Sequence, residues 1–229
     1  MTERPSAPGA DNPGVADAAG RTARRVRPKD AASLILWREG PRGVEVLMGR
    51  RHHALRFMPG VLVFPGGRVD RADHRAPALS ELSPLARRML EVSARPSLAR
   101  ALAVAAAREL HEETALVLGE LREGRLVPDL AAMDYLCRAI TPVGRPLRFH
   151  ARFLVAPAEA ARGAIQGSGE LEELRFFAMD ELAGQPVMAI TALILAEFRA
   201  WRALTPRGRA RRRLIAIMGM DRRVPERVR

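Results

Sequence analysis

The sequence predicts an α/β or α+β domain, because short apolar runs typical of strands alternate with longer segments of helical spacing. Two stretches, 83–119 (interrupted at Pro96) and 186–204, are predicted helices, and residues 131–140 fit either structure. With 229 residues, of which 48% are hydrophobic, the chain can bury one large core or two small ones. Five apolar runs bounded by turn residues are predicted strands: 31–37, 44–50, 60–64, 148–156 and 174–179.

The first three predicted strands lead to a glycine turn. The turn-rich segment REGPRG joins the first two strands, which favours a strand–loop–strand unit. The third strand ends at Pro65, Gly66 and Gly67. Because glycine has no Cβ, such a turn lets the backbone pass close to a phosphate or a neighbouring helix. An ordinary turn is the alternative interpretation.

The helical region after residue 80 contains two start signals. Ser83 is a predicted N-cap with Pro84 as the first helical residue. After Pro96, Ser97 is the predicted cap of a second helix, and Gly119 is its predicted end. The apolar stripe of this second helix consists of Leu98, Leu102, Ala105, Ala106 and Leu110.

The two ends of the chain carry most of its net charge of +12. Residues 207–229 contain nine arginines and two acids, a net charge of +7, whereas residues 1–30 contribute +2 and residues 31–206 only +3. We therefore predict a disordered N-terminal tail (1–30), a domain at 31–206 and a basic, disordered C-terminal tail (207–229). The arginines leave nucleic-acid binding open, but a charge run alone has no groups that read or stack on bases.

The chain has the features of a cytoplasmic protein. Cys137 is the only cysteine, which excludes an intrachain disulfide and a cysteine-cluster metal site and fits a reducing compartment. No apolar run reaches the roughly 18–20 residues that a membrane span needs. The N-terminus lacks the basic-then-apolar layout of a signal peptide. We therefore expect a cytoplasmic location and no membrane partner.

Residues 108–116, RELHEETAL, place three carboxylates on one helix face. Glu109, Glu112 and Glu113 are three and four residues apart, and at 3.6 residues per turn they lie side by side. Like charges at this spacing weaken a helix by roughly 0.2–0.5 kcal/mol per pair. Either the face is simply solvated, or a cation binds there.

Together with the upstream segment FPGGRVD, this pattern resembles the box of the Nudix hydrolase family, G-x5-E-x7-R-E-U-x-E-E-x-G-U, in which U is aliphatic. The resemblance covers about residues 31–204. It implies an α+β Nudix fold, with a mixed β-sheet between α-helices. The residues that fit the box are Gly67, Asp73, Arg108, Glu109, Leu110, Glu112, Glu113 and Leu116.

Two features depart from the family pattern. The gap between Asp73 and Arg108 is 34 residues instead of seven, an insertion of 27. An insertion here, at about 74–100, resembles the subgroup related to peroxisomal coenzyme A diphosphatases. We expect residues 74–96 to form a helical flap over or alongside the substrate cleft. Ala115 replaces the box glycine, which leaves the loop geometry after the helix open, because alanine adopts glycine's usual conformation there at a cost of about 1 kcal/mol.

The resemblance implies a site for Mg²⁺ or Mn²⁺, hard cations that prefer oxygen ligands. Its ligands would be Glu109, Glu112 and Glu113, the last two also counted as catalytic. Arg108 would pair with a box carboxylate and hold it in place. Gly66 and Gly67 would form the structural turn of the box.

An acid from the loop at 167–173 would complete the site or act as general base. Glu170 is the predicted residue, in preference to Glu172 and Glu173; a solvated acidic turn is the alternative.

Two further arginines are candidate substrate ligands. Arg148 and Arg152 lie on one face of a predicted strand, because residues four apart share a face. They would either bind substrate phosphates or serve as ion-pair partners.

The resemblance implies metal-dependent hydrolysis of a nucleoside diphosphate linked to another group, with coenzyme A or an acyl derivative as the leading substrate. A nucleotide-triphosphate sanitiser or an RNA cap hydrolase is one alternative. A non-catalytic ligand-sensing module is another, although a sensor need not keep the anionic cluster. The partner would be a small nucleotide, and a homodimer stays an open alternative.

Overall fold

The computed structural model describes residues 26–54, 59–219 and 222–226. Among these residues, fifteen helices and strands are numbered here in chain order. The strands are β1 (Lys29–Gly40), β2 (Gly43–Arg51), β3 (Leu62–Val63), β4 (Gly66–Arg68), β5 (Gly119–Arg122), β6 (Arg125–Pro128), β7 (Asp134–Ile140), β8 (Phe149–Pro157), β9 (Leu171–Ala178), β10 (Leu214–Met218) and β11 (Arg222–Glu226). The helices are α1 (Pro84–Glu91), α2 (Pro96–Thr114), α3 (Ala189–Arg202) and α4 (Pro206–Arg211). None of these helices is both long enough and apolar enough to cross a lipid bilayer.

A mixed sheet forms the centre of the molecule, and β5 and β6 form a separate hairpin. Strand β1 pairs in parallel with β8 on one side; on its other side it pairs with β4 near its start and with β2 near its end. From β8 the sheet continues through β7 and β10 to β11. Strand β9 pairs with β2.

Helices cover both faces of this sheet. Leu34 and Leu36 of β1 pack into the cluster that includes α1 and α2, whereas Ile35 packs into the cluster that includes α3. This is the alternation expected of a strand buried on both faces. The predicted α+β class, with a mixed sheet between helices, is confirmed.

The helix signals are partly confirmed. The Ala86 N–H donates to Ser83 Oγ at 3.1 Å, so Ser83 caps α1 as predicted. Helix α2 begins at Pro96, one residue before the predicted cap Ser97, and ends at Thr114, not at Gly119. Ala115 ends it in the left-handed region, with φ of 60°, so alanine takes the conformation that is typical of glycine at this position. The ambiguous segment is mainly strand β7.

The prediction of a disordered C-terminal end is wrong for the described residues. Strand β10 pairs in parallel with β7, and Leu214 and Ile217 are fully buried in the two cores. The arginines that precede these apolar residues obscured a strand of only five residues. The domain therefore extends beyond 206. Of the predicted N-terminal tail, residues 1–25 lie outside the described residues, and β1 already begins at Lys29.

The insertion packs along α2, and its expected role as a flap beside the substrate cleft stays a prediction. Arg100, near the start of α2, bonds Glu81 and the Ala76 carbonyl, both at 2.9 Å. Helix α1 buries Ala86 and Leu90 in the core beside α2. The insertion thus leads from the C-terminal half of α2, beside Arg108, toward its N-terminal end, away from the glutamates.

Candidate metal centre

Arg108 joins the two halves of the box. Its Nε and Nη2 donate to Asp73 at 3.0 and 3.1 Å, and Nη1 donates to Glu109 and Glu112, each at 2.9 Å. Nη2 also bonds the Arg68 carbonyl at 2.9 Å. Burial alone would lower the pKa of Arg108, but its bonds and ion pairs with Asp73 and Glu109 raise it overall. Arg108 is therefore a permanent cation that positions carboxylates, as the resemblance implies.

The Gly66–Gly67 turn presses against the glutamates of α2. The Gly66 N–H donates to Glu113 Oε2 at 2.9 Å. A Cβ at Gly67 would lie 2.3 Å from Glu109 Oε1, and one at Gly66 would lie 2.6 Å from the Ala32 carbonyl oxygen. Gly66 therefore requires glycine, because a Cβ there would meet the β1 backbone, whereas the three atoms nearest to a Cβ at Gly67 belong to the movable carboxylate of Glu109.

Glu113 lies in an environment that disfavours its charge. It is 8% exposed, and burial raises its pKa to about 8. The Gly66 N–H opposes this shift, whereas the charges of Glu109 and Glu170 add to it and that of Arg51 reduces it. A bound cation would lower the pKa of Glu113 again, because an opposite charge stabilises the carboxylate.

The environment of Glu109 also disfavours its negative charge. Burial raises its pKa, and the charge and hydrogen bond of Arg108 oppose that rise. The neighbouring charges of Glu112 and Asp70 raise it further. Glu109 thus lies, partly desolvated, between one cation and two anions.

Glu112 and Glu170 are the solvent-facing acids of this region. The Glu112 side chain is 54% exposed and is held by Arg108. Glu170 is exposed on the loop tied to the end of α2 by the Gln166–Thr114 backbone bond, and its charge acts on Glu113.

The other two loop acids already have partners. Glu172 lies 3.0 Å from His52, and Glu173 lies 2.7 Å from Arg50. Of the three candidates, Glu170 is therefore the one placed to act on the glutamate cluster.

The donor set suits a hard cation, although the ligands are not already gathered. Carboxylate oxygens from Glu109, Glu112, Glu113 and Glu170 are the ligand type that Mg²⁺ and Mn²⁺ prefer. Within the described ranges, no group of three or more His, Cys, Asp or Glu side chains is already arranged to hold a metal ion. The carboxylate charges that raise the pKa of Glu109 and Glu113 would favour a cation between them.

The two predicted substrate arginines have protein partners instead. Arg152 is 1% exposed and binds Asp30, with further bonds to the carbonyls of His150 and Ser93 at 2.8 and 2.9 Å. Arg148 bonds the carbonyls of Thr141 and Val26 at 3.1 and 2.7 Å. These contacts favour the alternative role as structural partners, because a buried guanidinium cannot easily exchange them for substrate.

Arg51, at the end of β2, was not singled out from the sequence. Its charge lowers the pKa of Glu113, so its side chain acts on the cluster. Its only sequence signal is its place after a predicted strand, and many arginines of this chain have comparable settings.

Gly67→Ala should disturb the cluster without unfolding the protein. The new methyl group would displace the Glu109 carboxylate, which is the mobile end of a side chain, and so misplace a proposed ligand. We expect a loss of activity of about tenfold or more, equivalent to about 1.4 kcal/mol of barrier, with little change in unfolding free energy. Gly184→Ala is the control, because no atom lies within 4 Å of its Cβ position. Equal activities for the two variants would show that Glu109 needs no close glycine contact.

The metal-free protein should lose stability as pH rises. Because folding raises the pKa of Glu113 from 4.5 to about 8, the folded state holds a proton that the unfolded state has lost. This contribution to stability is present below about pH 4.5 and is lost as pH rises through about 8. Urea unfolding at several pH values with a chelator, for wild type and Glu113→Gln, measures it. Parallel pH profiles for the two proteins would contradict the assignment.

Solved structures share this architecture. A Nudix hydrolase from Alicyclobacillus acidocaldarius is similar over 74% of this chain and 92% of its own, with a TM-score of 0.56 and 24% identity. The Nudix domain of Shewanella oneidensis NrtR, solved with ADP ribose, is similar over 82% of this chain and 94% of its own, with a TM-score of 0.50 and 13% identity. No protein-family model and no curated protein matches the sequence significantly. The chain has the Nudix fold.

Proposed function

We propose that this chain is a Mg²⁺- or Mn²⁺-dependent hydrolase that cleaves the phosphoanhydride bond of a nucleoside diphosphate linked to another group. The observation that carries the proposal is the pairing of Arg108 with Asp73, Glu109 and Glu112, while the Gly66 amide binds Glu113. Glu109 and Glu113 are partly desolvated and lie within reach of other carboxylate charges, which is costly unless a cation joins them.

Each residue of the candidate site has a separate role in the proposed reaction. Glu109, Glu112 and Glu113 would hold the metal ion, and the bonds from Arg108 and the Gly66 amide fix the positions of these carboxylates. When bound, the metal ion polarises the phosphoryl oxygens and lowers the pKa of water. Glu170 accepts the proton of the water that attacks phosphorus. The new P–O bond forms as the bridging P–O bond breaks, which gives two phosphate-containing products.

Coenzyme A or an acyl derivative is the leading substrate, and its support is the sequence resemblance of the insertion. The contacts of the insertion lie along α2 toward its start, so they add nothing to this choice. The NrtR domain was solved with ADP ribose, which is also a nucleoside diphosphate linked to another group. Both compounds therefore belong in a first test. The proposal keeps the cytoplasmic location expected from the sequence.

A substrate panel with product masses tests the function. The full chain is incubated with coenzyme A, ADP-ribose, nucleoside triphosphates and capped RNA, each with Mg²⁺, with Mn²⁺ or with a chelator. We expect a linked nucleoside diphosphate to yield two phosphate-containing products, and only with metal. Preferential cleavage of triphosphates or capped RNA would replace the proposed substrate class. Absence of hydrolysis with either metal would favour the ligand-sensing alternative and overturn the proposal.

A further inference from the structure

The C-terminal arginines are held on a folded surface, here called the α4 surface and defined by Arg207, Arg211 and Arg213. All three side chains are exposed. We propose that this surface binds the phosphate backbone of duplex nucleic acid without reading sequence. The inference is independent of the proposed hydrolase activity.

Helix α4 is anchored by contacts that fix the position of these arginines. The Gly208 N–H donates to Thr205 Oγ1 at 3.1 Å, which caps the helix. The Arg209 guanidinium lies 3.8 Å from the centre of the Trp201 ring and bonds the Trp201 carbonyl. Arg212 bonds the Leu136 carbonyl at 2.8 Å. Arg209 and Arg212 therefore support the fold, and the three arginines between and beside them stay available.

The charge of the α4 surface is not neutralised locally. Three acids on neighbouring elements have other partners: Glu39 binds Arg202, Glu197 binds Arg223, and Glu226 binds Arg138. A fourth, Asp134 of β7, interacts through its charge with Arg209 and Arg212. Among the described residues, no carboxylate pairs with any of the three arginines that define the surface. Three unneutralised charges on a rigid segment attract a polyanion, because binding releases counterions from the phosphates.

The α4 surface is separate from the carboxylate cluster. It adjoins β10, whereas the cluster packs against β4, and strands β7, β8 and β1 lie between these two. At about 4.8 Å per strand, β10 and β4 are roughly 19 Å apart. Binding at one site therefore does not need the other, and each proposal can fail alone.

The chemistry of α4 favours duplex nucleic acid over a membrane or a single strand. Its sequence, PRGRAR, has no large apolar side chain to enter a bilayer, which amphipathic membrane helices require. It also has no aromatic residue on which unpaired bases could stack, the usual feature of single-strand binding. Exposed arginines without such groups fit the phosphates of a duplex.

Matched charge-deletion variants test the proposal. In R207Q/R211Q/R213Q the α4 surface loses three charges, whereas R87Q/R88Q/R95Q loses three from exposed positions in the insertion. Fluorescence anisotropy measures binding of the full chain to a labelled duplex of about 20 base pairs over a salt series. We expect the first variant alone to lose about tenfold or more in affinity, and its salt slope to fall by about two to three. R207K/R211K/R213K should keep binding, which separates loss of charge from loss of fold.

Three results would overturn the proposal. Equal losses in the two glutamine variants would show that only total charge matters. Absence of duplex binding by the wild-type chain at low salt would remove the partner altogether. Binding to vesicles that contain anionic lipid, with none to the duplex, would assign the surface to a membrane instead.

Discussion

Glu113→Gln should reduce hydrolysis of a linked nucleoside diphosphate by about 100-fold or more, equivalent to about 3 kcal/mol of barrier. Glutamine keeps the shape and an oxygen that can accept the Gly66 N–H, so the helix and the turn should stay in contact. It removes the negative charge that a divalent cation needs. Without metal and near neutral pH, the variant should be as stable as the wild type or more stable, because Glu113 must take up a proton or bury a charge when the chain folds and glutamine does neither. Initial rates and urea unfolding measure the two effects.

The control for this variant is Glu123→Gln, which removes an exposed charge from the turn between β5 and β6. It should retain wild-type activity and stability. A Glu113→Gln protein that hydrolyses substrate as fast as the wild type would show that Glu113 is not a metal ligand.

Truncation of the chain after Thr205 should remove most of its free energy of unfolding. The truncation removes β10, whose Leu214 and Ile217 are fully buried, and exposes the edge of β7. Fully burying each such side chain contributes about 1.5–3 kcal/mol, so the loss is several kcal/mol in a protein whose total stability is about 5–15 kcal/mol. Thermal unfolding followed by circular dichroism measures the change.

A chain ended after Glu226 is the matched control, because it keeps every described strand and helix. It should melt close to the full-length protein. If the chain truncated after Thr205 also melts close to the temperature of the full-length protein, β10 and β11 contribute nothing to the fold. The charge at 207–229 would then belong to a dispensable segment.

Local signals predicted the parts of this fold that depend on neighbouring residues. Ser83 followed by Pro84 marks a helix start because a hydroxyl cap and a proline act within one turn. The spacing of Glu109, Glu112 and Glu113 placed them on one face, and the structure brings Glu109 to Gly67 and Glu113 to Gly66. The fold of the box could therefore be predicted, because most of its contacts lie on one helix and one turn.

Long-range pairing could not be predicted in the same way. The sequence around Arg152 is typical of an exposed arginine on a strand. In the structure its guanidinium is buried and bonds Asp30 and the Ser93 carbonyl, both far away in the sequence. Strand β10 is short and follows an arginine run, and its pairing with β7 bridges more than 70 residues of chain. In both cases the decisive contact joins two segments, and the local sequence of neither segment identifies the other as its partner.

Mn²⁺ binding measured by electron paramagnetic resonance, in the wild type and in E109Q/E113Q, tests the central claim most directly. E120Q/E123Q removes the same charge from the exposed β5–β6 hairpin and serves as the control. The proposed centre predicts that wild type and control bind Mn²⁺ equally and release it to excess Mg²⁺. The cluster variant should bind at least about tenfold more weakly, about 1.4 kcal/mol in binding free energy. Equal affinity in all three proteins would contradict a metal centre at these glutamates.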